Sequence, residues 1–143
     1  MYIMFALGGF LALISISDIT FRRIPNIAIV VILGITFILN GQHDVLNGWY
    51  SAIIVLCLSI ILVAMKVIAA GDSKLATVLA LAIPLSSLLL ALWLTCLIGG
   101  MLALIYWVKY RIANKTLSGK DPGLPYGVAI SIGFYIPILA HHL

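Results

Sequence analysis

The chain has 143 residues, of which 64% are hydrophobic and only 8% are charged. A soluble domain carries roughly 25% charged residues, so this composition excludes an ordinary water-soluble domain and indicates a protein whose solvent is lipid. The net charge of +4 comes from basic residues scattered between apolar runs, a pattern that does not indicate a nucleic-acid partner. We therefore expect an all-α membrane protein embedded in a lipid bilayer.

The length limits the number of membrane spans. One span needs roughly 20 apolar residues, so the chain holds about five to seven spans and has no room for a second domain. We therefore treat residues 1–143 as a single polytopic membrane domain. The first apolar run has no basic residues before it and no small-residue cleavage site, so we expect it to remain as an uncleaved first span.

Apolar runs, taken in chain order, predict about six transmembrane helices. The uncharged stretch 75–108 is too long for one ordinary span, and the turn signal Pro-Leu-Ser-Ser at 84–87 divides it into two helices. The predicted helices are therefore 1–17, 27–39, 49–68, the two parts of 75–108, and 126–140.

The basic residues predict the orientation of these helices. With six spans, every Lys and Arg falls on one side of the membrane, which the positive-inside rule makes the cytoplasmic side. Both termini then lie on the non-cytoplasmic side. A five-span arrangement would split the charges between the two sides, so we prefer six. The residues concerned are Arg22, Arg23, Lys66, Lys74, Lys109, Arg111, Lys115 and Lys120.

Two of the four acidic residues lie at helix ends. Asp18 ends the first predicted helix and Asp72 starts the fourth, so the six-helix arrangement puts both at a similar depth near the cytoplasmic boundary. Ionisable groups at this depth are costly and are functional candidates. Asp44 and Asp121 fall in loops, where water solvates them.

A pair of neighbouring carboxylates has a specific chemistry. The two groups share a proton because they cannot both ionise easily. Such a pair supplies a base that activates water and an acid that protonates a leaving amine, as in an aspartic protease. The helix-end positions favour Asp72 as the anion and Asp18 as the protonated partner. Arg22, one turn beyond Asp18, favours the opposite assignment, which stays open.

Each carboxylate also has a purely structural explanation. Asp72 could simply cap the fourth helix, as Asp often does. Asp18 could pair with Arg22 in an interfacial salt bridge that contributes little to stability. Composition alone does not separate these explanations from a catalytic one.

Three short segments resemble the motifs of the type IV prepilin peptidases, which are intramembrane aspartic proteases with a Gly-x-Gly-Asp signature. They are Ser-Asp-Ile-Thr-Phe-Arg-Arg-Ile-Pro-Asn at 17–26, Ala-Ala-Gly-Asp-Ser-Lys-Leu at 69–75 and Pro-Tyr-Gly-Val-Ala-Ile at 125–130. Ala69 stands where the signature has its first glycine. Nothing corresponds to the cysteine-containing insertion of the longer members, so the chain looks like the short tight-adherence and Caulobacter-type branch.

The resemblance implies a function and a set of site residues. Asp18 and Asp72 become the catalytic pair, and Gly71 shapes the backbone beside it. Pro125, Tyr126 and Gly127 become a possible substrate contact, although a helix start fixed by proline explains them equally well. The implied reaction removes a short leader from a Flp-type prepilin at the cytoplasmic face of the bacterial inner membrane. The prepilin's apolar helix would lie against the enzyme, and no metal or cofactor is expected because water is the nucleophile.

Two other functions remain open from the sequence. A small proton-coupled transporter subunit would use Asp18 and Asp72 as a proton relay, although a relay favours acids nearer the middle of the membrane. A non-catalytic pilus assembly protein would keep the fold but would tolerate replacement of either Asp by Asn.

Overall fold

The computed structural model of the chain describes residues 2–21, 24–41, 45–112 and 124–142. Within these ranges the chain forms six α-helices and no strand, which confirms the all-α prediction. The helices are α1 Tyr2–Phe21, α2 Asn26–Asn40, α3 Val45–Ala64, α4 Ala70–Ala80, α5 Leu85–Ile112 and α6 Tyr126–His142.

The helix boundaries differ from the sequence prediction by a few residues, as in α3, which was predicted at 49–68 and spans Val45–Ala64. Two of the differences concern an acidic residue. α1 continues to Phe21, so Asp18 lies inside its last turn. Residues 18–21 contain no helix breaker, and the first residue after them that is incompatible with a helix interior is Pro25. α4 begins at Ala70, so Asp72 is the third helical residue and not a flanking one.

A tight turn at residues 81–84 separates α4 from α5, slightly earlier than the predicted turn at 84–87. The backbone N–H groups of Ala82 and Ile83 donate hydrogen bonds to the carbonyls of Leu79 and Ala80. Pro84 then ends the turn, because its fixed φ suits the entry to a new helix. The long uncharged stretch is thus divided into two helices, as predicted.

Three helices are long and apolar enough to cross a bilayer: Tyr2–Phe21, Val45–Ala64 and Leu85–Lys109. Large apolar side chains face outward along them, including Leu89 and Trp93 on α5, which are 77% and 63% exposed. So much exposed apolar surface is an aggregation liability in water, whereas lipid tails accept it. α2, α4 and α6 are shorter, with 15, 11 and 17 residues.

α6 connects the parts of the bundle. It packs against α1, α4 and α5, while α2 packs against both α1 and α4, and α3 packs against α4 and α5. The most deeply buried side chains come from several of these helices, among them Leu7, Ile32, Leu79 and Phe134. The positions of α1 and α4 relative to each other therefore depend on two shared neighbours, α2 and α6.

Candidate active site

Asp18 continues the buried stripe of α1. The buried residues of this helix are Met4, Leu7, Leu11, Ile14 and Asp18, at spacings of three and four that place them on one helical face. The side chain of Asp18 is only 7% exposed. A carboxylate placed on the core-facing stripe is costly unless it is partnered, so its surroundings have to supply polar contacts.

Asp72 occupies the corresponding position on α4. It precedes Leu75 and Leu79 on the buried face of that helix and is 6% exposed. The backbone N–H of Ala69, the residue that flanks the helix start, donates a hydrogen bond to its carboxylate. This is one half of a capping box, in which the third helical residue reaches back to the cap. Asp72 therefore takes part in capping α4.

The two carboxylates lie within electrostatic reach of each other. Asp18 belongs to the last turn of α1 and Asp72 to the first turn of α4, so their proximity is a product of the tertiary fold. Two buried carboxylates this near are difficult to ionise together.

The start of α6 provides a polar contact for Asp18. The backbone N–H of Gly127 donates a hydrogen bond of 2.9 Å to Oδ2 of Asp18. Gly127 is the second residue of α6, where backbone N–H groups have no partner within the helix. A Cβ atom at this position would come within 2.7 Å of the same oxygen, so glycine is what allows the contact.

The predicted substrate segment thus begins α6 beside Asp18. Pro125 is buried and Tyr126 is partly buried. The carbonyl oxygen of Pro125 accepts a hydrogen bond from the N–H of Val128, which closes the first turn. The sequence placed Gly127 in this region but gave no indication that its own N–H binds the carboxylate.

Gly71 shows no packing requirement for glycine. Its backbone is helical and its φ lies outside the left-handed region. A Cβ atom there would make an ordinary contact of 3.7 Å with Ile24. Its predicted role in shaping the backbone beside the carboxylates stays a prediction.

Two further contacts near Asp72 were not predicted from the sequence. The Ser73 hydroxyl donates a buried hydrogen bond of 2.6 Å to the Ser59 hydroxyl on α3. Nζ of Lys74 lies 3.5 Å from Oδ1 of Asn26 at the start of α2. The two residues that follow Asp72 are thus tied to two neighbouring helices, α3 and α2. Serines inside apolar helices indicate that hydrogen bonds between helices will form. The sequence does not indicate which two serines form a given bond.

An apolar groove lies beside α4. It has a volume of about 520 Å³ and is lined by α2, α3, Thr77 and Val78 of α4, and Leu81 just after α4. The Thr77 hydroxyl is already committed to the carbonyl of Ser73. Neither Asp18 nor Asp72 lines this groove.

Among the described residues, no three His, Cys, Asp or Glu side chains come together in a way that could hold a metal ion. Within the described ranges, the structure places two kinds of group at the pair, the carboxylates themselves and backbone N–H groups that bind them. This set can exchange protons with water and with a bound peptide.

Comparison with known proteins assigns the family. No curated protein and no solved structure matches the chain. The family described as the Type IV leader peptidase family matches residues 5–104, a range that contains both Asp18 and Asp72. Since this match spans more than half of the sequence, the chain belongs to the type IV leader peptidase family and is, by that membership, a membrane peptidase.

Proposed function

We propose that this chain is an intramembrane aspartic endopeptidase that removes the short leader peptide from Flp-type prepilins, as a member of the short tight-adherence branch. The observation that carries the proposal is the position of Asp18 and Asp72, two buried carboxylates from distant parts of the chain, within electrostatic reach of each other. Both lie within the segment that matches the family. A pair of this kind is a complete acid–base set for peptide hydrolysis.

The proposed reaction uses one shared proton. The ionised carboxylate takes a proton from water while the oxygen of that water attacks the scissile carbonyl carbon. The protonated carboxyl hydrogen-bonds the carbonyl oxygen, on which negative charge develops. A carboxyl group then gives a proton to the leaving nitrogen as the C–N bond breaks, and the pair returns to its starting state with one proton. Neither carboxylate can perform both roles alone.

The proposed setting is the cytoplasmic face of the bacterial inner membrane. The position of all Lys and Arg residues on one side of a six-span arrangement supports it. A hydrogen bond between the ends of two helices adds support, because Asp18 near the end of α1 meets Gly127 at the start of α6. Six spans would run α1 and α6 in opposite directions and bring these two ends to the same side.

The proposed substrate site surrounds the pair. Gly71 and Tyr126 lie next to Asp72 and Gly127 in the chain and are both partly exposed, so a peptide can reach them. In this proposal the prepilin leader crosses these residues, with Pro125 fixing the start of α6. The apolar helix of the prepilin lies against the enzyme within the bilayer.

Cleavage of a co-expressed prepilin tests the proposal. Asp18→Asn and Asp72→Asn each remove one carboxylate while nearly preserving its size. We expect each variant to lose at least about a thousandfold in cleavage rate, and the double variant to be little worse, because residues that act as a unit are non-additive. Leader release is followed by the mobility of the pilin on gels, and the abundance of each variant is followed by immunoblot.

A matched control uses an acid assigned to a loop. Asp44→Asn makes the same chemical change outside the described residues and should retain full cleavage. A proton-coupled transporter or an assembly protein predicts a different result for the pair. If Asp72→Asn releases the leader at the normal rate and at normal abundance, the protease proposal is wrong.

A further inference from the structure

We propose that the backbone N–H of Gly127 is part of the proteolytic machinery, with Gly127 as a positioning residue that sets the orientation of the Asp18 carboxylate. The inference rests on the proposed function and extends it to a group that is not a side chain. Its basis is the 2.9 Å hydrogen bond from the N–H of Gly127 to Oδ2 of Asp18, which is buried from solvent.

A single hydrogen bond at this place has a geometric consequence. An Asp carboxylate rotates about its last side-chain bond with only a broad preference. An N–H that holds Oδ2 fixes the plane of the group and thereby the direction in which Oδ1 points. A charge-assisted bond of this kind is stronger than one between neutral groups. The bond thus orients the carboxylate before a substrate arrives.

The fold holds the donor in place. α6 is tied to α1 a second time, because the Tyr135 hydroxyl donates a 3.3 Å hydrogen bond to the carbonyl of Met4. α6 also packs against α4, the helix that carries Asp72. A donor fixed against both carboxylate-bearing helices keeps its position relative to the pair, which a loop donor would not do.

The lack of a side chain at position 127 allows the backbone N–H to approach the Asp18 carboxylate. A Cβ atom would lie 2.7 Å from Oδ2, 3.1 Å from Cγ and 3.3 Å from Cβ of Asp18. The whole carboxyl group would have to move, and not only its outer atoms. Any residue larger than glycine would therefore displace the carboxylate or push the start of α6 away from it.

The alternative is that Gly127 only permits close packing of α1 and α6. The two explanations separate when the N–H is removed without adding atoms. Replacing residue 127 by glycolic acid, through nonsense suppression in a cell-free system with nanodiscs, changes the amide to an ester and deletes only the donor. The packing explanation predicts normal activity for this variant, whereas the positioning explanation does not.

The experiment compares two ester variants on a purified prepilin. We expect the ester at 127 to lower kcat by about ten- to a hundredfold and to leave KM within about twofold of the unmodified protein. The matched control is the ester at Val128, made with 2-hydroxyisovaleric acid. It removes an N–H that bonds the carbonyl of Pro125 and should leave kcat within about twofold, since it costs a helix hydrogen bond only.

The possible results separate the role of Gly127 from the proposed protease function on which that role depends. A normal kcat for the ester at 127, with Asp18→Asn inactive in the same nanodiscs, overturns the role of Gly127 and leaves the protease proposal standing. Equal losses in both ester variants also overturn it, because they mark a general weakening of α6. Full activity of Asp18→Asn overturns both. Thermal unfolding of each variant, read from tryptophan fluorescence, checks that the compared samples are folded.

Discussion

The Ser73 hydroxyl donates a hydrogen bond of 2.6 Å to the Ser59 hydroxyl, so that α4 is tied to α3 at the residue directly after Asp72. Ser59 in turn donates to the carbonyl of Leu56 within α3. Both serines are buried, at 7% and 3% exposure. The chain of two bonds fixes the rotation of α4 about its axis, and hence the side of the bundle on which Asp72 lies.

The two serines should contribute unequally to stability. Ser59→Ala leaves the buried Ser73 hydroxyl without its acceptor, at a cost of about 1–3 kcal/mol. Ser73→Ala should cost about 1 kcal/mol, because Ser59 keeps its bond to Leu56. The double variant should be no less stable than Ser59→Ala, since replacing both partners removes the stranded group.

The free energy of unfolding in mixed micelles, measured by titration with sodium dodecyl sulfate, tests this order. Ser51→Ala is the matched control on α3, where a buried hydroxyl bonds only the Asn47 carbonyl of its own helix. It should cost less than about 1 kcal/mol. Strictly additive losses at Ser59 and Ser73 would mean that their bond contributes nothing.

The order and number of helices could be predicted from the sequence because apolar runs and Pro residues determine them locally. All six predicted helices are present, with ends displaced by a few residues. The displacements that matter are at Asp18 and Asp72, where polar residues were interpreted as helix breaks. A charged side chain does not end a helix, however, and here it continues the buried stripe of an apolar one.

The nearness of Asp18 and Asp72 could be predicted from the sequence, but the groups around them that hold them in place could not. Charge distribution and motif resemblance both pointed to Asp18 and Asp72. The N–H of Gly127 and the Ser59–Ser73 bond arise from how α6 and α3 pack. One signal was available: Gly127, Ile130, Phe134 and Ile138 form one buried stripe along α6. Gly127 stands at its first position, just as Asp72 stands at the start of the α4 stripe and Asp18 at the end of the α1 stripe.

The orientation in the membrane can be tested with reporter fusions. With six spans, reporters fused after Gly41 and at the C-terminus should lie outside the cytoplasm, because no Lys or Arg lies in those segments. A reporter fused at Lys115 should lie in the cytoplasm, since Lys109, Arg111 and Lys120 are its neighbours in the sequence. Alkaline phosphatase and green fluorescent protein fusions report opposite sides and control for expression. A phosphatase-active fusion at Lys115 would contradict the six-span arrangement and the cytoplasmic position of the pair.

Gly71 and Tyr126 test where the substrate passes. A Cβ atom at position 71 makes only an ordinary contact with Ile24, so Gly71→Ala should leave the free energy of unfolding within about 0.5 kcal/mol of the parent protein. If the leader backbone crosses this point, the added methyl group should raise KM for prepilin by about tenfold, since the loss of a close approach costs roughly 1.4 kcal/mol. Tyr126→Phe should act in the same direction if the hydroxyl contacts the leader.

Gly9→Ala is the matched control, because it adds the same methyl group inside a helix where nothing lies within 4 Å. It should leave KM unchanged and raise the free energy of unfolding by about 0.5–1 kcal/mol, because alanine is the better helix former. Prepilin titrations in nanodiscs measure KM and kcat for all three variants. If Gly71→Ala and Tyr126→Phe both keep the parent KM, the leader does not cross the starts of α4 and α6, and these residues serve only the helix geometry around Asp72 and Gly127.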